Sequence, residues 1–129
     1  MQKLKLHEIK REQKKSLFLK EISTLIQAIA ADEKDVAQVY PSRIDFSADT
    51  GICYVFFASF IENDQEAFDK AFRVLKLYKP SIRTALSKAI KARYVPDLVF
   101  MYDEVKVKER RINDLLNKVQ QDLESQKGE

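Results

Sequence analysis

Apolar residues recur at helical spacing in the first third of the chain. This apolar stripe consists of Phe18, Ile22, Leu25, Ile26 and Ile29. Residues three and four positions apart share one face of an α-helix, so the pattern predicts an amphipathic helix from about Glu12 to Ala31. An acidic connector that begins at Asp32 follows this helix.

The pattern then changes to a period of two, which is typical of a β-strand. It places Tyr40, Ser42, Ile44 and Phe46 on one face and Arg43 and Asp45 on the other. A turn sequence follows, in which Gly51 is predicted to take a positive φ beside a bulge or tight bend. The next run, from Ile52 to Ile61, is apolar on both faces. We therefore expect it to be a central strand that pairs with its predecessor as a hairpin.

Two further helical stripes meet at Lys79-Pro80. The first stripe is Phe68, Ala71, Phe72 and Leu75, with Asn63 or Asp64 as its N-cap, and the second is Ile82, Ala85, Leu86, Ala89 and Ile90. A proline disfavours helical conformation in the residue before it and suits a first helical turn. The pattern therefore predicts two helices with a break between them.

A third strand is indicated where Leu98, Phe100 and Tyr102 alternate with Val99 and Met101. Pro96 has no amide hydrogen and belongs at the start of this strand or on an edge. The resulting order is helix, strand, strand, helix, helix, strand. It predicts an α+β fold in which a three-stranded sheet carries its helices on one face.

Beyond Asp103 the sequence predicts a tail helix from Lys106 to Gln126. Its apolar stripe consists of Ile112, Leu115, Leu116, Val119 and Leu123. We expect this helix to cover spare apolar surface of the body. Docking to a partner, and folding only on docking, are the alternatives.

Positive charge is concentrated in two segments of a chain whose composition, 45% hydrophobic and 33% charged over 129 residues, is that of an ordinary soluble domain. Eight cations and no carboxylate lie between Lys70 and Tyr94. Such clustering, more than the net charge of +3, is the footprint of a nucleic-acid surface. The central cations are Lys70, Arg73, Lys76, Lys79, Arg83, Lys88, Lys91 and Arg93, and the N-terminal cluster is Lys10, Arg11, Lys14 and Lys15. The N-terminal cluster is equally well interpreted as a solvated arm.

We expect the central segment to bind phosphates by electrostatic attraction. Lys79, Arg83, Lys88 and Lys91 are predicted to contact them directly, aided by Lys70, Arg73 and Lys76. Thr84 and Ser87 are predicted to donate neutral hydrogen bonds to the same backbone. Tyr78, beside the predicted break, is interpreted as a packing residue in preference to one that stacks on a base.

Catalysis is not expected from these residues. His7 is the only histidine, Cys53 lies in an apolar strand and is predicted to be a buried thiol, and the only glycines are Gly51 and Gly128. Neither a glycine-rich phosphate loop nor a metal-ligand spacing is present. A single cysteine cannot form an intrachain disulfide, and no apolar stretch of signal-peptide length follows the N-terminus. We expect a cytoplasmic protein with no cofactor, metal, small-molecule substrate or membrane contact.

Several segments resemble the ribosome-binding factor A family over roughly residues 9 to 116. They are Ile9–Glu12, Ser47–Asp49, Lys79–Arg83, Ala92–Asp103 and Arg111–Leu116. The resemblance implies a bacterial, type II KH-like protein that binds 16S rRNA in the immature 30S subunit. It further implies a protein that assists late maturation near the 5′ end without catalysis. We expect it to be a monomer.

The family usually has an Ala-x-Gly kink between its central helices, and this chain has Tyr78, Lys79 and Pro80 there instead. Lys79 is expected to supply a side-chain charge where a glycine permits close approach of the backbone. The resemblance divides the chain into a basic arm, residues 1–11, a KH-like RNA-binding domain, residues 12–103, and a helical tail, residues 104–129.

Two other classes of protein fit parts of the pattern. The helices on either side of Pro80 fit a helix-turn-helix DNA-binding protein, although the Lys, Ser and Thr composition suits backbone contacts better than base reading. The tail helix fits a module that binds another protein.

Overall fold

The computed structural model describes residues 2–60, 64–92 and 94–127, which form a mixed three-stranded sheet with helices on one face. The elements are α1 (Gln2–Ala30), a short 3-10 turn (Val36–Gln38), β1 (Val39–Phe46), β2 (Ile52–Ser59), α2 (Asp64–Ile90), β3 (Asp97–Tyr102) and α3 (Glu104–Lys127). β2 lies in the centre, antiparallel to β1 and parallel to β3. The predicted α+β fold of type II KH-like order is confirmed.

The core lies between the sheet and the two helices α1 and α2. Its buried side chains include Phe18, Ile22 and Ile26 of α1, Val55 and Phe57 of β2, Ala71, Leu75, Ile82 and Leu86 of α2, and Leu98 and Phe100 of β3. The rings of Phe57 and Phe100 meet edge to face with centroids 5.5 Å apart, an arrangement that aromatic pairs prefer. The predicted stripes of α1 and β3 are confirmed, as is the position of Pro96 directly before β3. In the second half of α2, Ala89 is exposed, contrary to the prediction.

A β-bulge interrupts the alternation predicted for β1. The register between β1 and β2 shifts between Pro41 and Arg43, which leaves Ser42 as the extra residue. An extra residue moves the side chains before it to the opposite face. Val39 is therefore buried at 3% exposure, and the prediction that Tyr40 shares a face with Ile44 is wrong. Tyr40 instead packs on the ring of Phe60, with the two centroids 4.6 Å apart.

The hairpin turn places the left-handed conformation one residue earlier than predicted. Thr50 has φ 56°, and Gly51 does not have a positive φ. The turn closes when the Thr50 amide donates to the Ser47 carbonyl at 2.9 Å. The Asp49 carboxylate accepts from Ser47 Oγ at 2.7 Å and from the Gly51 amide at 3.0 Å. The hydrogen bond from the Gly51 amide and, to a smaller extent, the one from the Ser47 hydroxyl lower the pKa of the Asp49 carboxyl.

α1 begins at Gln2, ten residues before the predicted start, so residues of the predicted arm are helical. The prediction used the apolar stripe, which begins only at Phe18. Polar side chains that precede the apolar stripe contact the body: Arg11 Nη2 donates to the Phe46 carbonyl at 2.9 Å, and Lys15 Nζ lies 3.4 Å from an Asp45 carboxylate oxygen. Lys, Glu and Gln are also good helix formers. Contacts at the end of β1 thus support the helix where apolar periodicity is absent.

The two predicted central helices form one continuous helix, α2, that includes Lys79 and Pro80. Pro80 has no amide hydrogen to donate to the Lys76 carbonyl, a loss that costs about 3 kcal/mol in a helix interior. Leu75 before the proline and Ile82 after it are both buried in the same core. Burial on both sides offsets the local cost, so the helix does not stop at the residue before proline.

α3 contradicts the expectation that its stripe covers the body. Ile112, Leu115, Leu116, Val119 and Leu123 are between 48% and 63% exposed. The helix follows β3 after the single residue Asp103, which is buried at 2% exposure. Asp103 accepts a hydrogen bond from Ser42 Oγ at 2.5 Å and lies 3.3 Å from Arg43 Nε. The start of α3 is therefore attached to the bulge in β1, while its apolar face is open.

Some predictions concern residues outside the described part of the chain. They are the end of the second strand at Ile61, the capping residue Asn63, the side chains of Asp64 and His7, the cation Arg93, and Gly128.

Candidate nucleic-acid interface

The outer face of α2 carries most of the predicted cations. We call this surface the basic ridge and define it as Lys70, Arg73, Lys76, Lys79, Arg83, Lys88 and Lys91. Lys70 and Lys88 are 18 positions apart in the helix, which corresponds to about 27 Å along its axis. The ridge forms because the opposite face of α2 is buried and leaves these positions to solvent.

Two carboxylates from outside the segment between Lys70 and Tyr94 lie close to the ridge in the folded chain. Asp97, at the start of β3, places Oδ1 3.9 Å from Lys79 Nζ and 4.0 Å from Arg83 Nη1. Lys70 Nζ lies 3.5 Å from Glu66 Oε1, one turn earlier in α2. These exposed pairs are worth about 0 to 1 kcal/mol and are easily exchanged for other anions. Lys79 and Arg83, two of the strongest predicted phosphate contacts, are therefore partly neutralised within the chain.

Four cations of the ridge form no ion pair within the described part of the chain. They are Arg73, Lys76, Lys88 and Lys91, and all four are exposed. The Nζ of Lys76 lies 5.1 Å from the centroid of the Phe72 ring. The other three stand toward the two ends of the ridge, and a polyanion lying along α2 can reach all four without displacing a carboxylate.

The two hydroxyls predicted to bind phosphate donate to the backbone of the protein instead. Thr84 Oγ1 donates to the Pro80 carbonyl at 3.1 Å, and Ser87 Oγ donates to the Ala92 carbonyl at 3.3 Å. Such local bonds are common for Ser and Thr in helices. Their role toward a phosphate stays a prediction, and it requires these bonds to be exchanged.

Tyr78 packs against the body, as predicted. Its hydroxyl donates to Glu33 Oε1 at 3.0 Å, and its ring contacts the core. The hydrogen bond to Glu33 is the main cause that raises the pKa of Tyr78. Tyr78 therefore connects α2 to the acidic connector after α1, next to Pro80.

α2 ends at a second left-handed residue, Lys91, with φ 52°. The Ala92 amide donates to the Ser87 carbonyl at 3.3 Å. This bond between residues five positions apart is one of the two hydrogen bonds of a Schellman motif. Glycine is the usual residue at this position, because it avoids the steric cost of the left-handed region. Here the position carries a cation of the ridge.

The N-terminal cations lie beside the end of β1, and no hydrogen bond or ion pair among the described residues joins them to the ridge. Arg11 and Lys15 bind Phe46 and Asp45 as described above. Lys14 Nζ lies 5.1 Å from the centroid of the Phe46 ring. Lys10 is exposed. Three of the four therefore contact the fold, which favours a structural role over a solvated arm.

Two exposed apolar side chains near the ridge were missed by the sequence interpretation. Tyr94 is 89% exposed and Leu77 is 80% exposed. Tyr94 lies between the end of α2 and β3, where the strand pattern drew attention to Pro96 instead. Its signal in the sequence was an aromatic residue next to cations and outside any apolar stripe.

The described residues offer little to a metal or a covalent reaction. No group of three or more His, Cys, Asp or Glu side chains in the described ranges is placed to hold a metal ion. Cys53 is buried at 0% exposure, as predicted, and burial raises the pKa of its thiol to about 12. None of the described helices is long and apolar enough to cross a membrane.

The fold and the ridge together define a class: a small α+β domain of KH-like order that presents a cationic helix face opposite its sheet. The chain belongs to the ribosome-binding factor A family, whose model matches residues 10–116. This confirms the family indicated by the sequence segments.

Solved structures of this family share the fold at low sequence identity. The crystal structure of ribosome-binding factor A from Thermus thermophilus is similar with a TM-score of 0.59 and 18% identity, covering 71% of this chain and 94% of that one. The solution structure of a Thermotoga maritima protein described as a putative ribosome-binding factor A has a TM-score of 0.50 and 22% identity, covering 67% and 84%. A Thermus thermophilus homology model fitted into a map of a 30S complex matches with a TM-score of 0.40 and 22% identity, covering 50% and 65%.

Proposed function

We propose that this protein is an assembly factor that binds the RNA of the immature small ribosomal subunit through the basic ridge. It assists late maturation of 16S rRNA in the cytoplasm, as a monomer, and does no chemistry itself. Membership of the ribosome-binding factor A family supports the class of partner. The part played by each ridge residue is a proposal from geometry.

The observation that carries the proposal is the set of exposed, unpaired cations on α2. Arg73 and Lys88 are 15 positions apart in one helix, about 22 Å along the axis. Phosphates of a folded RNA present negative charge at intervals along such a length, and release of their counterions on binding favours association. A rigid helix holds the cations in place before binding, so less entropy is lost on association.

The helix-turn-helix alternative conflicts with the structure of α2. That motif requires two helices at roughly 90–120° joined by a short turn. Residues 64–90 form one helix without such a turn. Neither half of α2 is therefore free to enter a major groove as a separate recognition helix.

The proposal is tested by reversing charge on the ridge and measuring salt dependence. In the variant Arg73→Glu with Lys88→Glu, the affinity for immature 30S subunits should fall. The slope of log affinity against log salt should become shallower by about 0.7 to 0.9 per lost phosphate contact. The measurement is a binding titration at several salt concentrations, together with co-sedimentation with immature 30S subunits and with 70S ribosomes.

A matched control changes the same total charge away from the ridge. Lys108 and Lys118 are exposed on α3, so Lys108→Glu with Lys118→Glu also replaces two exposed cations. The control should keep the wild-type salt slope. An equal loss in both double variants would mean that net charge, and not the ridge, governs binding, and wild-type binding that does not change in molar salt would exclude the electrostatic mechanism.

The exposed stripe of α3 supports a second candidate function, docking to a protein. Leu116 and Leu123 lie on this stripe and are 60% and 54% exposed. The variant Leu116→Asp with Leu123→Asp should leave binding to protein-free rRNA unchanged. If it releases the protein from the assembled subunit, α3 contacts a protein there; if association is unaffected, docking through this stripe is excluded.

A further inference from the structure

Tyr94 is the most exposed large apolar side chain in the described part of the chain, at 89%. Its neighbours in sequence do not share this exposure: Val95 packs against the core and Pro96 is buried. A large aromatic ring gains free energy when it leaves water. The fold nevertheless holds this ring outside the core.

Backbone groups on either side of Tyr94 form hydrogen bonds. The Ala92 amide donates to the Ser87 carbonyl, and the Ala92 carbonyl accepts from the Ser87 hydroxyl. The Val95 carbonyl accepts from Arg83 Nη2 at 3.2 Å. The Asp97 amide donates to the Gly51 carbonyl at 3.0 Å. Hydrogen-bonded backbone therefore lies on both sides of Tyr94, at Ala92 and at Val95.

Cations of the basic ridge adjoin the segment around Tyr94. Arg83, bound to the carbonyl of the next residue, and Lys91, three residues before Tyr94, are both exposed. An aromatic face beside cations is the combination with which proteins hold single-stranded nucleic acid, because the ring stacks on a base while the cations contact the phosphates. A paired base inside a duplex has no free face to offer, so this arrangement distinguishes unpaired from paired RNA.

We propose that Tyr94 stacks on an unpaired base of the RNA whose phosphates contact Arg83 and Lys91. The proposal rests on the function proposed above and adds a structural preference to it. The ridge alone attracts any polyanion, whereas the ridge with Tyr94 selects RNA that has an unpaired nucleotide at the end of α2.

The test compares oligouridylate with the same strand annealed to oligoadenylate. The duplex has the higher charge density, so electrostatic attraction alone favours it. Wild-type protein should bind the single strand, relative to the duplex, more tightly than electrostatic attraction alone predicts. Tyr94→Ala should weaken binding to the single strand by about 5- to 100-fold and leave binding to the duplex unchanged.

Two further variants separate stacking from other effects. Tyr94→Phe should retain the preference because it keeps the ring, and Tyr94→Leu should lose it although it keeps an apolar side chain. The chain contains no Trp, so Tyr94→Trp provides a single indole whose fluorescence should be quenched by the single strand and not by the duplex. Thermal melting of each variant should match the wild type, since the replaced side chain is exposed.

The outcomes distinguish the two proposals. If the wild type and Tyr94→Ala bind the single strand equally well with a steep salt dependence, stacking by Tyr94 is excluded and the ridge proposal stands. If the wild type binds neither RNA, both proposals fail. Loss of single-strand affinity in Tyr94→Leu together with indole quenching establishes stacking.

Discussion

α2 and α3 are two amphipathic helices of similar length, 27 and 24 residues. The apolar face of α2 is buried, and that of α3 is exposed. The apolar stripe of α2 is in the core, where Leu75 and Leu86 are 0% exposed. The stripe of α3 is in solvent, where Leu115 and Leu116 are 63% and 60% exposed. Apolar periodicity therefore indicates a helix with one apolar face, and does not indicate what covers that face.

The difference follows from how each helix is connected. α2 joins β2 to β3, which are parallel neighbours, and a crossover between parallel strands has to lie across the sheet. α3 follows β3 and does not connect two strands of this sheet. Its start is attached through Asp103, and nothing in the connectivity returns its apolar face to the sheet. α2 therefore completes the core, and the apolar face of α3 stays exposed.

Thiol reactivity gives the largest expected contrast between the two environments. Cys53 lies in the core that α2 covers, so it should react with iodoacetamide only when the fold opens. In the variant Leu115→Cys, the new thiol on α3 should react at the rate of a free cysteine, about a thousandfold faster or more. Peptide mapping of one sample measures both thiols, and equal rates would show that α3 is packed.

The same thiol makes stability depend on alkaline pH. The Cys53 pKa is raised from its ordinary 9.0 to about 12, so the folded chain keeps a proton that the unfolded chain loses first. The resulting stabilisation is complete below pH 9 and is lost as the pH rises from about 9 through 12. In Cys53→Ala this part of the pH dependence should be absent from the free energy of unfolding.

Shortening one leucine in each helix gives the next contrast. Leu75→Ala leaves a cavity in the core and should lower the free energy of unfolding by about 2 to 5 kcal/mol. Leu116→Ala removes an exposed side chain and should change it by less than about 0.5 kcal/mol. Chemical denaturation of both variants measures the difference. A comparable loss in Leu116→Ala would mean that the stripe of α3 is buried in solution.

The attachment of α3 to the sheet is tested at Ser42. Removing its hydroxyl in Ser42→Ala deprives the buried Asp103 carboxylate of a donor, which should cost about 1 to 3 kcal/mol of the free energy of unfolding. Thr84→Ala is the matched control, since its hydroxyl donates to a carbonyl on the exposed side of α2 and should change stability by less than about 0.5 kcal/mol. If both variants are equally stable, the bulge does not hold Asp103.

The sequence predicted those features that depend on local pattern. The hairpin, the central position of β2 and the three core stripes follow from apolar spacing. The position of Pro96 follows from its missing amide hydrogen. The concentration of cations on one face of α2 also follows, because the positions opposite a buried stripe are necessarily exposed.

The features that were not predicted depend on contacts distant in sequence. The bulge at Ser42 is held by Asp103, 61 positions later, and period-two spacing contains no sign of it. α2 continues through Pro80 because both of its halves bury side chains in one core. The pairing of Lys79 and Arg83 with Asp97 arises only when β3 lies beside α2, so a carboxylate-free run of sequence does not give a carboxylate-free surface.

The smallest expected effect concerns the last residue of the basic ridge, at the end of α2. The backbone of Lys91 is in the left-handed conformation. A side chain costs about 1 kcal/mol in this conformation, and glycine avoids that cost. Lys91→Gly should therefore raise the free energy of unfolding by up to about 1 kcal/mol. Lys88→Gly removes the same charge three residues earlier, in regular helix, and should lower it by about 1 kcal/mol. If chemical denaturation gives changes of opposite sign in the free energy of unfolding of the two variants, backbone geometry fixes the end of α2. Destabilisation by Lys91→Gly would instead show that the lysine side chain contributes more than its strained backbone costs.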